Sequence, residues 1–173
     1  SSEGLKKQNV KYARALLDHY GEPWIAVMPA DAYTWICQCG LCKGKDTPER
    51  GPRGRLSDYA WSYVNDVAKA LYKTHPDRKV CCFAYGTYLK PPLHIDKLSP
   101  NVVVGICQWR SMFYVRAVRN QLLDLREAGQ EKMAPENKLI IWGYYLHARP
   151  DAYGWDAIPA VFPRLIAEDL RSL

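Results

Sequence analysis

The sequence predicts an α/β fold: a parallel sheet backed by helices, made by using one strand-then-helix unit about four times. Three observations carry this. The runs Trp24 to Met28, Val80 to Tyr85, Asn101 to Trp109 and Lys138 to Tyr145 are apolar almost throughout, as buried parallel strands are. Helix-spaced apolar residues flank these runs, so strands and helices alternate along the chain. Gly- and Pro-rich polar segments follow the carboxyl ends of the strands, and no Gly-rich phosphate loop follows the first. Of the two ways to close such a fold, a doubly wound open sheet and a (β/α) barrel, these loops favour the barrel. A complete barrel takes about eight units and ~250 residues. The 173 residues are therefore expected to form one domain, 1–173, that is a partial (β/α)8 barrel.

Each element has its own signal. From Gly4 to Tyr20, Leu5, Val10, Ala13, Leu16 and Leu17 recur near helical spacing, with Ser2 placed to cap and Gly21 to terminate. The first strand is expected from Trp24 to Met28, and its long loop runs through Pro48, Gly51, Pro52 and Gly54. Ser57 is expected to cap the next helix, which runs to about Lys73 with Tyr59, Tyr63, Val67, Ala70 and Leu71 facing inward. Val80 to Tyr85 and Asn101 to Trp109 supply the middle strands. Val115, Val118, Leu122 and Leu125 mark the helix after them, with Gly129 as its end. The fourth strand spans Lys138 to Tyr145, and Pro163 opens a last helix with Leu165, Ile166 and Leu170 buried.

Composition narrows the class. The 24 Lys and Arg exceed the 18 Asp and Glu to give +6, but the two signs are interleaved. That reads as a solvated surface and not as a nucleic-acid stripe. No apolar run approaches the ~20 residues of a membrane span, and the opening SSEGLKKQNV shows no signal-peptide pattern. A chain that starts without Met and at a helix is expected to be an excised piece or a mature product. The 6 Cys fit disulfides outside the cell or clustered thiols on a metal inside it.

Chemistry gathers at the strand exits. Tyr33 and Trp35, Tyr85 and Tyr88, Gln108, Trp109 and Arg110, and Trp142, Tyr144, Tyr145 and His147 form an aromatic and hydrogen-bonding wall suited to sugars. Aromatic faces cover the C–H faces of a pyranose, while amides, phenols and imidazoles bond its hydroxyls. The plainer alternative is that these rings close the mouth of the barrel. Asp31 is the carboxylate directly beyond a strand, placed for nucleophilic attack or for orienting an attacking acetamido group; its alternative is a turn aspartate. Glu49, Glu131 and Glu136 fall away from the strand exits, so no proton donor is evident. Cys37, Cys39 and Cys42 form C-x-C-x-x-C, a spacing that suits Zn²⁺, with His94, Cys82 or Cys107 as fourth-ligand candidates. A disulfide or free packed thiols are the alternatives.

The segments PADAYTWICQCGLC, DTPERGPRGRLSDYAWSYVNDVAKALYKTHPDRKV, AYGTYLKPP and LSPNVVVGICQW resemble the bacterial domain of unknown function 4838, part of which is glycoside hydrolase family 163. The resemblance covers most of the chain and implies a (β/α)8 barrel related to hexosaminidases and α-glucuronidases. It implies an endo-β-N-acetylglucosaminidase acting on N-glycans, secreted or periplasmic, with Asp31 matching the loop carboxylate. The expected function is thus glycoside hydrolysis with no catalytic cofactor and a structural zinc as the ion the thiols could hold. Expected partners are a glycan and the missing barrel strands or a second copy, with neither nucleic acid nor membrane. A non-catalytic carbohydrate-binding barrel and a zinc-bearing nucleic-acid binder are the alternatives.

Overall fold

The computed structural model describes residues 2–31, 33–110, 112–145 and 162–172. Its elements run α1 (Glu3–Tyr20), β1 (Trp24–Ala26), α2 (Ser57–Tyr72), β2 (Lys79–Ala84), β3 (Val102–Trp109), α3 (Arg116–Glu131), β4 (Ile140–Tyr144) and α4 (Pro163–Arg171). The four strands form one parallel sheet in the order β1-β2-β3-β4. This is the mixed α/β fold expected from the sequence, and it is consistent with a partial (β/α)8 barrel.

Local chemistry sets most boundaries. Ser2 Oγ accepts from the Leu5 N–H at 3.2 Å, Glu3 sits in the positive first turn, and Gly21 ends α1 at φ 66° while its N–H bonds Leu17 O. Three expectations fail here. Ser57 is the buried first residue of α2 and caps nothing; Leu56 precedes it, and Asp58 instead accepts the N–H groups of Leu93 and His94. The buried face of α2 is Ala60, Trp61, Val64, Val67, Ala68 and Leu71, so Tyr59 and Tyr63 sit at its margin. Gly129 lies inside α3, where the lack of a side chain admits Leu139 Cδ1 at 3.1 Å from where a Cβ would stand.

Because the strands follow one another across the sheet in a single direction, every crossover helix falls on the same side. The core accordingly joins Ala13 and Leu17 of α1 and the inner face of α2 to one face of the strands: Ile25, then Val80, Cys82 and Ala84, then Val102, Val104 and Ile106. Residues of opposite parity point to the other face, which the helices do not cover. Trp24 is 54% exposed there, Trp109 42%, Ile140 51% and Trp142 52%. The runs are apolar throughout, but the described residues seal only one face.

Two polar networks fix how helices sit on that sealed face. Below the sheet, Asn65 Oδ1 accepts from Ser99 N at 2.8 Å, Ser99 Oγ donates to Asn101 Oδ1, and Asn101 Nδ2 donates to Ala68 O at 2.9 Å. All three side chains are buried, so each bond replaces one to water that folding removed. At the far edge, Arg110 just beyond β3 pairs with Asp169 of α4, their side chains 1% and 0% exposed. Gln108 Oε1 accepts from Arg110 at 2.7 Å, and the Tyr145 hydroxyl donates to Asp169 at 2.5 Å. That places Asp169 inward and leaves Leu170, expected to be buried, exposed, while Leu165 and Ile166 are half-buried.

Asn101→Ala is expected to lower the unfolding free energy by ~2–3 kcal/mol, because it orphans Ala68 O and the Ser99 hydroxyl; urea denaturation measures it. Arg110→Met is expected to cost about 3–5 kcal/mol by leaving Asp169 buried and unpaired. Arg110→Met combined with Asp169→Leu should recover most of that loss in the same assay.

Candidate functional site

The carboxyl ends of β1 to β4 bring the expected residues into three separate groups. The first lies on the uncovered face. Parallel register sets Cys107 beside Trp142 and Trp109 beside Tyr144. Trp109 meets Tyr144 edge-on at 6.5 Å, and Trp142 meets Phe83 edge-on at 5.3 Å. Gly105 makes room for that ring, since a Cβ on it would stand 2.4 Å from Phe83 Cε1. Burial pushes the Tyr85 phenol upward, and the negative charges of Asp31, Tyr144 and Cys107 push it further. Cys107, Trp109, Trp142 and Tyr144 therefore share the open face at its carboxyl edge, with Asp31 exposed on the loop that leaves β1.

The second group is buried in structure. Gln108 donates to Leu122 O at 2.8 Å and accepts from Arg110, which uses both ends of its amide. Tyr145 is engaged with Asp169. Tyr88 is 2% exposed in the main core, and its backbone carbonyl accepts from Trp61 Nε1 at 3.1 Å. Parity explains Gln108: two residues after Ile106, it points to the helix side and not to the open face. These three stand behind the site and not in the mouth. His147 lies outside the described residues.

The third group belongs to the loop between β1 and α2. Tyr33 packs half-buried against both hydrophobic clusters, and its carbonyl accepts from Thr87 Oγ1 at 2.7 Å. Trp35 is exposed, with the Arg55 guanidinium 4.9 Å from its ring centre. The sulfurs of Cys37, Cys39 and Cys42 lie within 4.8 Å of one another. The cluster could hold a metal ion. A tight turn sets it: Cys39 O accepts from both Cys42 N and Lys43 N at 3.0 Å, and Cys39 N approaches Cys37 Sγ at 3.5 Å.

Cys42 packs with Ile36 and Leu56, and the Tyr59 hydroxyl lies 3.3 Å from its sulfur. That hydrogen bond favours the thiolate and draws Cys42 down to about 7, while burial and the neighbouring thiolate push Tyr59 up. Of the fourth-ligand candidates, Cys82 is in the core beneath the sheet, and burial pushes its thiol up. Cys107 stands on the open face with its thiol raised to about 11 by burial. Neither these nor His94 joins the cluster. Tyr59 was hidden from sequence reasoning because its spacing marks it only as a helix-face residue.

The larger hollows lie elsewhere. One of about 670 Å³ separates α1 from α2, and one of about 820 Å³ runs along α3. Charged side chains on helix surfaces contribute heavily to both, which suits solvation better than recognition.

Comparison with known proteins is confined to one family. No curated protein and no solved structure matches the chain. The family model described as Domain of unknown function (DUF4838) matches residues 10–153, most of the length, and the chain belongs to that family.

Proposed function

We propose that this chain is the sugar-facing part of a (β/α)8 glycoside hydrolase, with endo-β-N-acetylglucosaminidase-like action on glycans containing N-acetylglucosamine. The observation that carries the reading is the set of exposed Trp109 and Trp142 with partly buried Tyr85 and Tyr144 at the carboxyl edge of a parallel sheet, with Asp31 exposed on the loop that leaves β1. In barrels of this kind reactions occur at that edge. Trp109 and Trp142 offer flat apolar faces to a pyranose ring, and Tyr85 offers a hydroxyl whose proton is held firmly at neutral pH. Asp31 either attacks the anomeric carbon or steadies an acetamido group that does so.

The resemblance to glycoside hydrolase family 163 supports the same reading and a secreted or periplasmic site of action. The remaining strands of a barrel would cover Trp24 and Ile140, whether they come from the same polypeptide or from a second copy. The reaction draws on no cofactor, and a zinc ion at Cys37, Cys39 and Cys42 would take no part in it. A second reading, a barrel that binds glycans without cleaving them, is favoured by the placement of Glu131 and Glu136. Both precede β4 and so lie at the amino end of the sheet, away from Asp31.

Titration with chitobiose, followed by tryptophan fluorescence, is expected to show saturable binding that Trp109→Ala weakens about tenfold, roughly 1.4 kcal/mol. Absence of any change up to saturating sugar would overturn the reading. In the intact protein, Asp31→Asn is expected to slow hydrolysis of an N-glycan by about 10²-fold or more while sparing affinity. Binding without hydrolysis by the unaltered protein would select the non-catalytic alternative.

A further inference from the structure

The three thiols offer fewer ligands than a closed zinc site requires, and that shortfall has a chemical meaning. We infer that Cys37, Cys39 and Cys42 hold one Zn²⁺ through three thiolates, and that its fourth position is open to solvent or to an incoming thiolate. The inference rests on the zinc reading of the cluster and is independent of the glycan site.

The geometry is close to that required. Tetrahedral zinc with Zn–S of about 2.3 Å keeps its sulfurs about 3.8 Å apart, and the three here lie within 4.8 Å of one another. Small χ1 adjustments on two exposed side chains, Cys37 and Cys39, close the difference. The backbone is already folded for the purpose, since both amides after Leu41 bond the Cys39 carbonyl and bring Cys39 and Cys42 to one side. Cys42 is buried against Ile36 and Leu56, with the Tyr59 hydroxyl beside its sulfur, so one ligand is anchored while two face solvent.

No His, Asp, Glu or further Cys among the described residues completes the group. Three protein ligands with one exchangeable position is the pattern of an accessible zinc, in contrast to the four-ligand structural site. The ion would still serve the fold. It would tie the irregular segment after β1 to the first turn of α2 through Cys42 and Tyr59, where few backbone bonds otherwise hold it.

The test uses the whole chain kept reduced with a phosphine, so that no added thiol competes, and loaded with Co²⁺ as a spectroscopic substitute for zinc. One equivalent should bind with sulfur-to-cobalt charge-transfer absorption. Cys37→Ser, Cys39→Ser and Cys42→Ser should each lower that absorption and weaken binding at least tenfold, whereas Cys107→Ala should retain both. Adding 2-mercaptoethanol should then shift the ligand-field bands saturably as the open position fills. No stoichiometric Co²⁺ or Zn²⁺ on the unaltered chain overturns the zinc site itself. Stoichiometric metal whose spectrum ignores added thiolate overturns the open position alone.

Discussion

Parallel strands cannot be joined by a tight turn, so each must return to the start of the sheet through a crossover. In this chain the crossovers all step in one direction, from β1 to β4. Helices thereby accumulate on one face, and a single core forms between Val80, Cys82, Val102, Val104 and the apolar side of α2. The same constraint leaves the second face to whatever lies above it. Everything proposed about sugars depends on that asymmetry, because only the uncovered face and its carboxyl edge present Trp109, Trp142 and Tyr85 to a ligand.

Within the sealed half, apolar contact supplies the adhesion and polar groups supply the placement. Asn65, Ser99 and Asn101 satisfy one another and Ala68 O, which fixes α2 against the start of β3. Arg110 and Asp169 do the equivalent for α4 with help from Gln108 and Tyr145. Neither network adds much net attraction over an apolar substitute, yet each makes every misplacement of its helix costly.

Much of the fold was legible because its signals are local. Ser2 and Gly21 mark helix ends through hydrogen bonds made within a turn, Pro163 marks one through its fixed φ at the first helical position, and the apolar runs mark strands wherever they fall. Where the reading failed, the deciding partner was distant in sequence. Asp169 looks like a surface residue until Arg110 faces it. The candidate site was legible in type and only partly in membership. Gln108, Tyr88 and Tyr145 sit at strand exits as the sequence implies, but side-chain parity and burial turn them away from the opening. Tyr144, expected at the same strand exit, does join Trp109, because the register of β3 and β4 pairs them. Clustering of the three thiols, by contrast, follows from spacing alone and a turn that needs no tertiary help.

The brevity of β1 has a consequence for the loop that follows it. It shares three register positions with β2, whereas β2 with β3 and β3 with β4 share five each. Among the four strands β1 is thus held by the fewest ladder positions and β3, paired on both sides, by the most. The loop bearing Asp31 and the three cysteines hangs from that strand, so its reactive groups are tethered to the sheet through its shortest pairing.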